Sequence, residues 1–90
     1  MEFEWDQTKA AANLSKHAVS FDEAKTVFDD PLYVDFYNPD HSLNEHRYII
    51  IGESEQGRLL MVSYTEIGDT IRIISSRELT PAERKQYEEG

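Results

Sequence analysis

The stretch Arg47–Glu78, RYIIIGESEQGRLLMVSYTEIGDTIRIISSRE, decides the fold. It holds three runs rich in apolar and β-branched residues, separated by two short turn signals. Arg47 to Glu53 reads as one strand, Ser54-Glu55-Gln56-Gly57 turns the chain, and Arg58 to Thr65 reads as the next strand. Ile67-Gly68-Asp69 turns it again, and Thr70 to Glu78 forms a third strand. Connections this short join antiparallel neighbours, so the stretch predicts a meander.

Working outward, Leu32 to Tyr37 reads as a further strand, joined to Arg47 by a polar loop over Asn38 to Asn44. Glu2 to Asp6 alternates acidic and aromatic residues, which puts Phe3 and Trp5 on one face of a short strand. Gln7 to His17, with Ala10, Ala11, Ala12 and Leu14, predicts a helix. Ser20-Phe21-Asp22-Glu23 is a capping box in which Ser20 caps and Glu23 reaches back. It opens a second helix through Phe28, with Ala24, Val27 and Phe28 as an apolar stripe. Asp29-Asp30-Pro31 ends that helix, because proline disfavours helical backbone at the residue before it. Thr80-Pro81-Ala82-Glu83 is a second capping box and starts a C-terminal helix through Glu88. The expected fold class is α+β in one domain, residues 1–90: a short N-terminal strand, two helices, a four-stranded largely antiparallel meander and a C-terminal helix.

Composition narrows the function. Ninety residues make a single domain. The absence of cysteine excludes a disulfide scaffold, a thiolate zinc site and a Cys nucleophile. The longest apolar run, Leu59 to Val62, falls far short of the roughly 20 residues of a membrane helix. The acidic start Met1-Glu2-Phe3-Glu4-Trp5-Asp6 lacks the basic region of a signal peptide, so a cytoplasmic location is expected. The net charge of −9 argues against indiscriminate nucleic-acid binding. Its distribution is uneven. Five of the six cationic side chains in residues 46–90 are arginine, the residue suited to bidentate phosphate recognition. Such a pattern suits a basic partner, a local phosphate site, or an ordinary solvated surface.

The turns place the arginines. Tight hairpins pair residues whose numbers sum to about 136 around Gly68 and about 111 around Gln56. Arg47, Tyr64 and Arg72 then form one cross-strand row, and Arg58 and Arg77 lie together at the far end of the sheet. A phosphate between Arg47 and Arg72 with the Tyr64 hydroxyl nearby is one reading; ion pairs with Glu45, Glu66 or Asp69 are the other. Arg72 and Arg77 point to opposite faces of an ideal strand, so they serve one site only if the strand bulges or twists.

Other constellations are weaker. His41-Ser42-Leu43-Asn44-Glu45-His46 has one residue too many for a zinc-binding H-x-x-E-H, so no metal is expected. No phosphate-cradling glycine loop and no nucleophile elbow is present. His17 follows Lys16, shares a helix face with Asn13, and sits where the helix dipole favours the imidazolium. It reads either as a proton donor beside a phosphate or as a C-capping residue.

Taken together, Phe3-x-Trp5-Asp6-x-x-Lys9, Asn13-x-x-Lys16-His17-x-Val19-Ser20-Phe21-x-x-Ala24 and Val27-Phe28-x-Asp30-Pro31 resemble the N-terminal half of the BrnT family of type II toxin–antitoxin toxins. His41-Ser42, Glu45-x-Arg47, Ile51-Gly52, Arg58, Val62, Tyr64-Thr65, Arg72-Ile73-Ile74-Ser75-Ser76-Arg77 and Glu83-Arg84-x-x-Tyr87 extend the resemblance over nearly the whole chain. The resemblance implies a RelE-like fold and a ribonuclease that cuts RNA with no metal or cofactor and arrests translation. It implies a BrnA-like antitoxin that binds the toxin and contacts operator DNA through its own segment. His17, Arg72 and Arg77 become the expected catalytic residues: His17 as general acid or base, the arginines at the phosphorane. Lys16, Arg47, Arg58 and Tyr87 are the expected substrate-binding residues. A catalytically weak domain that serves mainly as an acidic binding module for its antitoxin is the alternative. Ala18 departs from the family's usual glycine after Lys-His, where a positive φ would cost alanine roughly 1 kcal/mol.

Overall fold

The computed structural model describes residues 1–38 and 46–89. The elements are β1 (Glu2–Glu4), α1 (Gln7–His17), α2 (Phe21–Thr26), a 3₁₀ turn (Val27–Asp29), β2 (Val34–Asn38), β3 (Arg47–Glu53), β4 (Leu59–Ile67), β5 (Thr70–Glu78) and α3 (Pro81–Glu89). The sheet has five strands in the order β1-β5-β4-β3-β2. The expected meander is β2 to β5, antiparallel throughout, and β1 joins it as a parallel fifth strand beside β5.

Several boundaries differ from the sequence expectation. Asp6, expected in the first strand, is instead the N-cap of α1, its Oδ1 accepting from the Thr8 and Lys9 amides at 2.8 and 3.1 Å. Those bonds hold the Asp6 carboxyl below its usual range. The second helix tightens into a 3₁₀ turn at Val27, and β2 starts at Val34 and includes Asn38. The rest of the expected loop, with His41 and Glu45, lies outside the described residues. In the first capping box the Glu23 amide donates to Ser20 Oγ at 3.0 Å, but the Glu23 carboxylate turns to Ser54 and Arg58 instead of back to Ser20.

One layer of the core is Val19, Phe21, Ala24 and Val27; the other is Ile50, Leu60, Val62, Tyr64, Ile71 and Ile73 from the sheet. Edge-on aromatic contacts extend it: Trp5 meets Phe21, Phe3 meets Phe28, and Phe28 meets Tyr64, with ring centroids 5.0–5.9 Å apart. Gly52 sits where backbone and loop approach closely. A Cβ there would come within 2.9 Å of Asp30 Oδ2, the atom that accepts the Glu53 amide. Among the described residues α3 buries none of its side chains. It is attached by Glu83 and by Tyr87, whose hydroxyl donates to the Leu32 carbonyl at 3.1 Å.

The register is shifted by one residue in both hairpins. Arg47 faces Thr65, and Thr65 faces Arg72. Both shifts run in the same direction, so the two arginines keep their common row while Thr65 replaces Tyr64 between them. Tyr64 turns to the core, facing Tyr48 and Ile73 across the strands. There burial, ahead of the nearby Asp35 carboxylate, raises its hydroxyl far above the usual value. A tyrosine so placed is no phosphate ligand in the Arg47–Arg72 row.

Candidate active site

The site begins with a β-bulge. Tyr64 pairs with Ile73 but Ser63 pairs with Ser75, so Ile74 is the extra residue on β5. The burial pattern shows the same break: Ile71 and Ile73 are buried, Ile74 and Ser75 are not, and Ser76 is buried again. One extra residue reverses the alternation of side chains. Arg72 and Arg77, which an ideal strand would send to opposite faces, therefore both leave the face that lies away from the core. Along β5 their backbones are about 16 Å apart at about 3.3 Å per residue, and the guanidiniums are held by different carboxylates, Arg72 by Glu4 and Arg77 by Glu83.

His17 reaches this face through Asn13. β1 ends at Glu4, opposite Arg72, and leaves the later part of β5 without a strand on that side. Asn13 takes that place. Its Nδ2 donates to the Ser76 carbonyl at 2.9 Å, and its Oδ1 accepts the Ser76 amide at 3.1 Å. The same Nδ2 donates to the Val19 carbonyl at 2.9 Å, fixing the chain just past the helix. Both amide hydrogens and the oxygen of this buried side chain are used. One turn after Asn13 comes His17; one residue after Ser76 comes Arg77. His17 and Arg77 consequently line one cleft with Met61, Ser63, Ser75 and Ser76, about 200 Å³ in volume. A space of that size suits a phosphate group better than a nucleoside, since drug-sized ligands take about 300–1,000 Å³.

α1 ends by geometry and not by a histidine cap. Ala18 adopts φ 58° and ψ 32°, and its amide donates to the Leu14 carbonyl at 2.9 Å. It is the one non-glycine residue with positive φ among those described. The helix-ending turn that glycine would allow is thus kept, with alanine strained into it.

The arginines divide by environment. The Arg77 guanidinium forks onto Glu83, Nη1 to Oε1 at 2.7 Å and Nη2 to Oε2 at 3.0 Å. Nη1 also donates to the Glu78 carbonyl at 3.1 Å, and Nη2 lies 3.4 Å from the Met61 sulfur. Hydrogen bonds from Arg77, helped by the Thr80 amide, pull the Glu83 carboxyl down to about 2. Arg72 pairs with Glu4 across the parallel ladder at 2.5 Å. Arg47 lies across from Thr65 at the other end of the row.

Arg58 does not meet Arg77, contrary to the placement expected from the turns. It enters the corner between α1 and α2. There it binds the buried Glu23 carboxylate through Nε and Nη2, donates to the Ala18 carbonyl at 3.0 Å and reaches Glu78 at 3.3 Å. Glu23 in turn accepts from Ser54 Oγ at 2.7 Å. Tyr87 lies in a separate groove of α3 with Asp30, Leu32, Glu53 and Arg84. Lys16 is exposed on the last turn of α1 next to His17. Among the described residues no three His, Asp or Glu side chains gather where they could hold a metal ion.

Three functional-looking residues escape a reading by motif. Asn13 shows only its i−4 spacing to His17, and nothing in the sequence announces its bonds to Ser76, 63 positions away. Glu83 is legible as a capping-box residue, and it does close the box, accepting from the Thr80 amide at 2.9 Å while its own amide donates to Thr80 Oγ1 at 3.2 Å. Its second duty on Arg77 is not legible. Ile74 carries no sequence mark of a bulge at all.

Comparison with known proteins bears on this arrangement. The family model described as "Ribonuclease toxin, BrnT, of type II toxin-antitoxin system" matches residues 5–83. Among solved structures the chain is similar to the ribonuclease toxin BrnT of Brucella abortus, determined by crystallography at 1.1 Å. That match has a TM-score of 0.65 and 22% sequence identity, covering 89% of this chain and 97% of the other. No curated protein sequence matches the chain.

Proposed function

Since the chain belongs to the BrnT family of ribonuclease toxins of type II toxin–antitoxin systems, we propose that it cleaves RNA without a metal, in the cleft that His17 and Arg77 share. The observation that carries this reading is the Ile74 bulge together with the Asn13 clamp, which bring His17 and Arg77 to one small space.

In the proposed reaction the RNA 2′-OH attacks the adjacent phosphorus, a base takes its proton, and the bond to the 5′ oxygen breaks. That oxygen leaves with a proton from an acid, and the other fragment keeps a 2′,3′-cyclic phosphate. His17 supplies one of the two proton transfers. Arg77 meets the charge that gathers on the phosphorane, a contribution typically worth 10²–10³ in rate for one donor. Arg72, held by Glu4 at the other end of β5, binds a neighbouring phosphate together with Arg47, and Lys16 adds its charge from the last turn of α1. Arg58 closes the scaffold corner and Tyr87 anchors α3, so neither is assigned to the scissile phosphate. The proposed fold type is RelE-like, and the proposed cleavage takes place in the cytoplasm and arrests translation. A BrnA-like antitoxin is the proposed form of the antitoxin partner, and operator DNA is reached only through it.

The test is induction in a bacterial host of the chain, of Arg77→Ala and of His17→Ala, with growth and RNA integrity followed over time. The expected outcome is arrest and RNA breakdown for the unmodified chain, with cleavage by the purified variants down at least 100-fold and their unfolding midpoints nearly unchanged. Full-rate cleavage by Arg77→Ala overturns the assignment. Absence of arrest from a folded chain favours the antitoxin-binding module instead.

A further inference from the structure

Arg77 as it stands has little left to offer a substrate. A guanidinium carries five N–H donors. Two are spent on Glu83, one on the Glu78 carbonyl, and one points at the Met61 sulfur. Only Nε–H is uncommitted by these contacts, and a single donor cannot form the two-pronged grip that makes arginine a phosphate ligand. Glu83 offers two oxygens in the fork, in the arrangement a phosphate would use.

We propose that Glu83 is an internal ligand of the Arg77 anion site: its carboxylate competes with the RNA phosphate, and α3 yields the fork only when the phosphate displaces it. This inference rests on the assignment of Arg77 to phosphate binding above. Two further observations support it. The pair is half-exposed, with side-chain accessibilities of 37% and 33%, so water and ions reach it and exchange is physically open. The element that carries Glu83 is also the least anchored helix, with no buried side chain. Displacement therefore disturbs no core contact. The contrast with Arg58, whose carboxylate partner is 3% exposed, marks Glu83 as the exchangeable one of the two.

Glu83→Gln isolates the effect. Glutamine also serves at the third position of a capping box, so the start of α3 keeps its closure while the charge on Arg77's partner is lost. Two measurements are made on the wild type and the variant. In the first, inorganic phosphate is titrated while the Arg77 Nε–H signal is followed by NMR. The expected half-saturating phosphate concentration falls 3- to 5-fold in Glu83→Gln, the range of an exposed ion pair. In the second, steady-state cleavage of an RNA oligonucleotide is expected to show a lower KM with kcat little changed. An unchanged or raised phosphate concentration, or a fall in kcat that marks Glu83 as a residue orienting Arg77, overturns the proposal. The two failures are separable. Tighter phosphate binding in a chain that cuts no RNA keeps the internal ligand and removes the nuclease assignment. Arg77-dependent cleavage with unaltered phosphate affinity does the reverse.

Discussion

The chain uses one local motif twice and obtains opposite results. Ser20-x-x-Glu23 and Thr80-x-x-Glu83 are both capping boxes, and each glutamate binds an arginine of the sheet region. In the first, Glu23 is buried and abandons its capping arm for Arg58 and Ser54. In the second, Glu83 keeps the capping arm and grips Arg77 at the surface. The sequence device, a Ser or Thr with Glu three residues later, is the same in the two places. What differs is the depth at which the carboxylate ends. A buried charge must be paired and hydrogen-bonded to exist at all, so its contacts become scaffold. A half-exposed charge loses little when its partner is replaced by another anion or by water. The fold thereby separates a lock from an exchangeable contact using a single sequence device.

The largest expected consequence lies at the buried box. Arg58→Ala leaves the Glu23 carboxylate with Ser54 alone and removes a donor from the Ala18 carbonyl. Breaking one partner of a buried pair costs about 3–5 kcal/mol, and a domain of this size has roughly 5–13 kcal/mol in total. The variant should lose about 3 kcal/mol, read as a large drop in the urea midpoint with the slope unchanged. Glu83→Gln, the matching change at the exposed box, should shift the midpoint by less than about 1 kcal/mol. Equal losses at the two sites would erase the distinction.

How much of this was legible beforehand follows the same division. Elements whose signal is local came through: both Ser/Thr caps, the C-terminal capping box and the antiparallel meander all rest on residues within four positions or on tight turns. The left-handed turn at Ala18 was signalled only by the glycine usual in the family at that position; the departure to alanine left a different hinge open, and the structure keeps the turn. What failed was set at a distance. The exception is the one-residue shift in both hairpins, a local miss of turn length: Ile67 pairs with Thr70 around two residues where three were read, and Glu53 pairs with Leu59 around five where four were read. Glu23 was misread because its partner Arg58 is 35 positions away. Of the candidate site, the residue types His17 and Arg77 were legible. The geometry that joins His17 to Arg77 was not, since it needs the unmarked bulge at Ile74 and the bonds of Asn13 to Ser76.

A smaller effect sharpens the lock itself. Ala18 sits in the left-handed region, and its carbonyl receives Arg58. Ala18→Gly removes the clash between Cβ and the backbone without touching that hydrogen bond. The relief is about 1 kcal/mol, reduced somewhat by the greater freedom of glycine in the unfolded chain. A rise in thermal midpoint of a few degrees is expected, with RNA cleavage unchanged because strain at Ala18 is stored in the scaffold corner and not at the phosphate. A lower midpoint would mean that the turn is shaped by something other than the backbone preference of alanine.

The smallest effect is carried by acid. Hydrogen bonds from Arg58 hold the Glu23 carboxyl below its usual range, and those from Arg77 bring Glu83 to about 2 from an ordinary 4.5. A carboxylate whose folded value is depressed contributes stability that is fully present above its unfolded value and is lost as the pH falls through the folded one. For Glu83 that window runs from about 4.5 down to about 2. Its share is small, because solvent screens the pair. Thermal midpoints measured at intervals across this window should decline for the wild type. In Glu83→Gln the decline should be slightly shallower, since a neutral amide has no proton to take up. At neutral pH the carboxylate stays charged, so protonation does not release Arg77 and only a competing anion does. A rise in wild-type phosphate affinity on acidification that persisted in His17→Ala and vanished in Glu83→Gln would contradict that, and would make Glu83 a titrating gate instead of a displaced ligand.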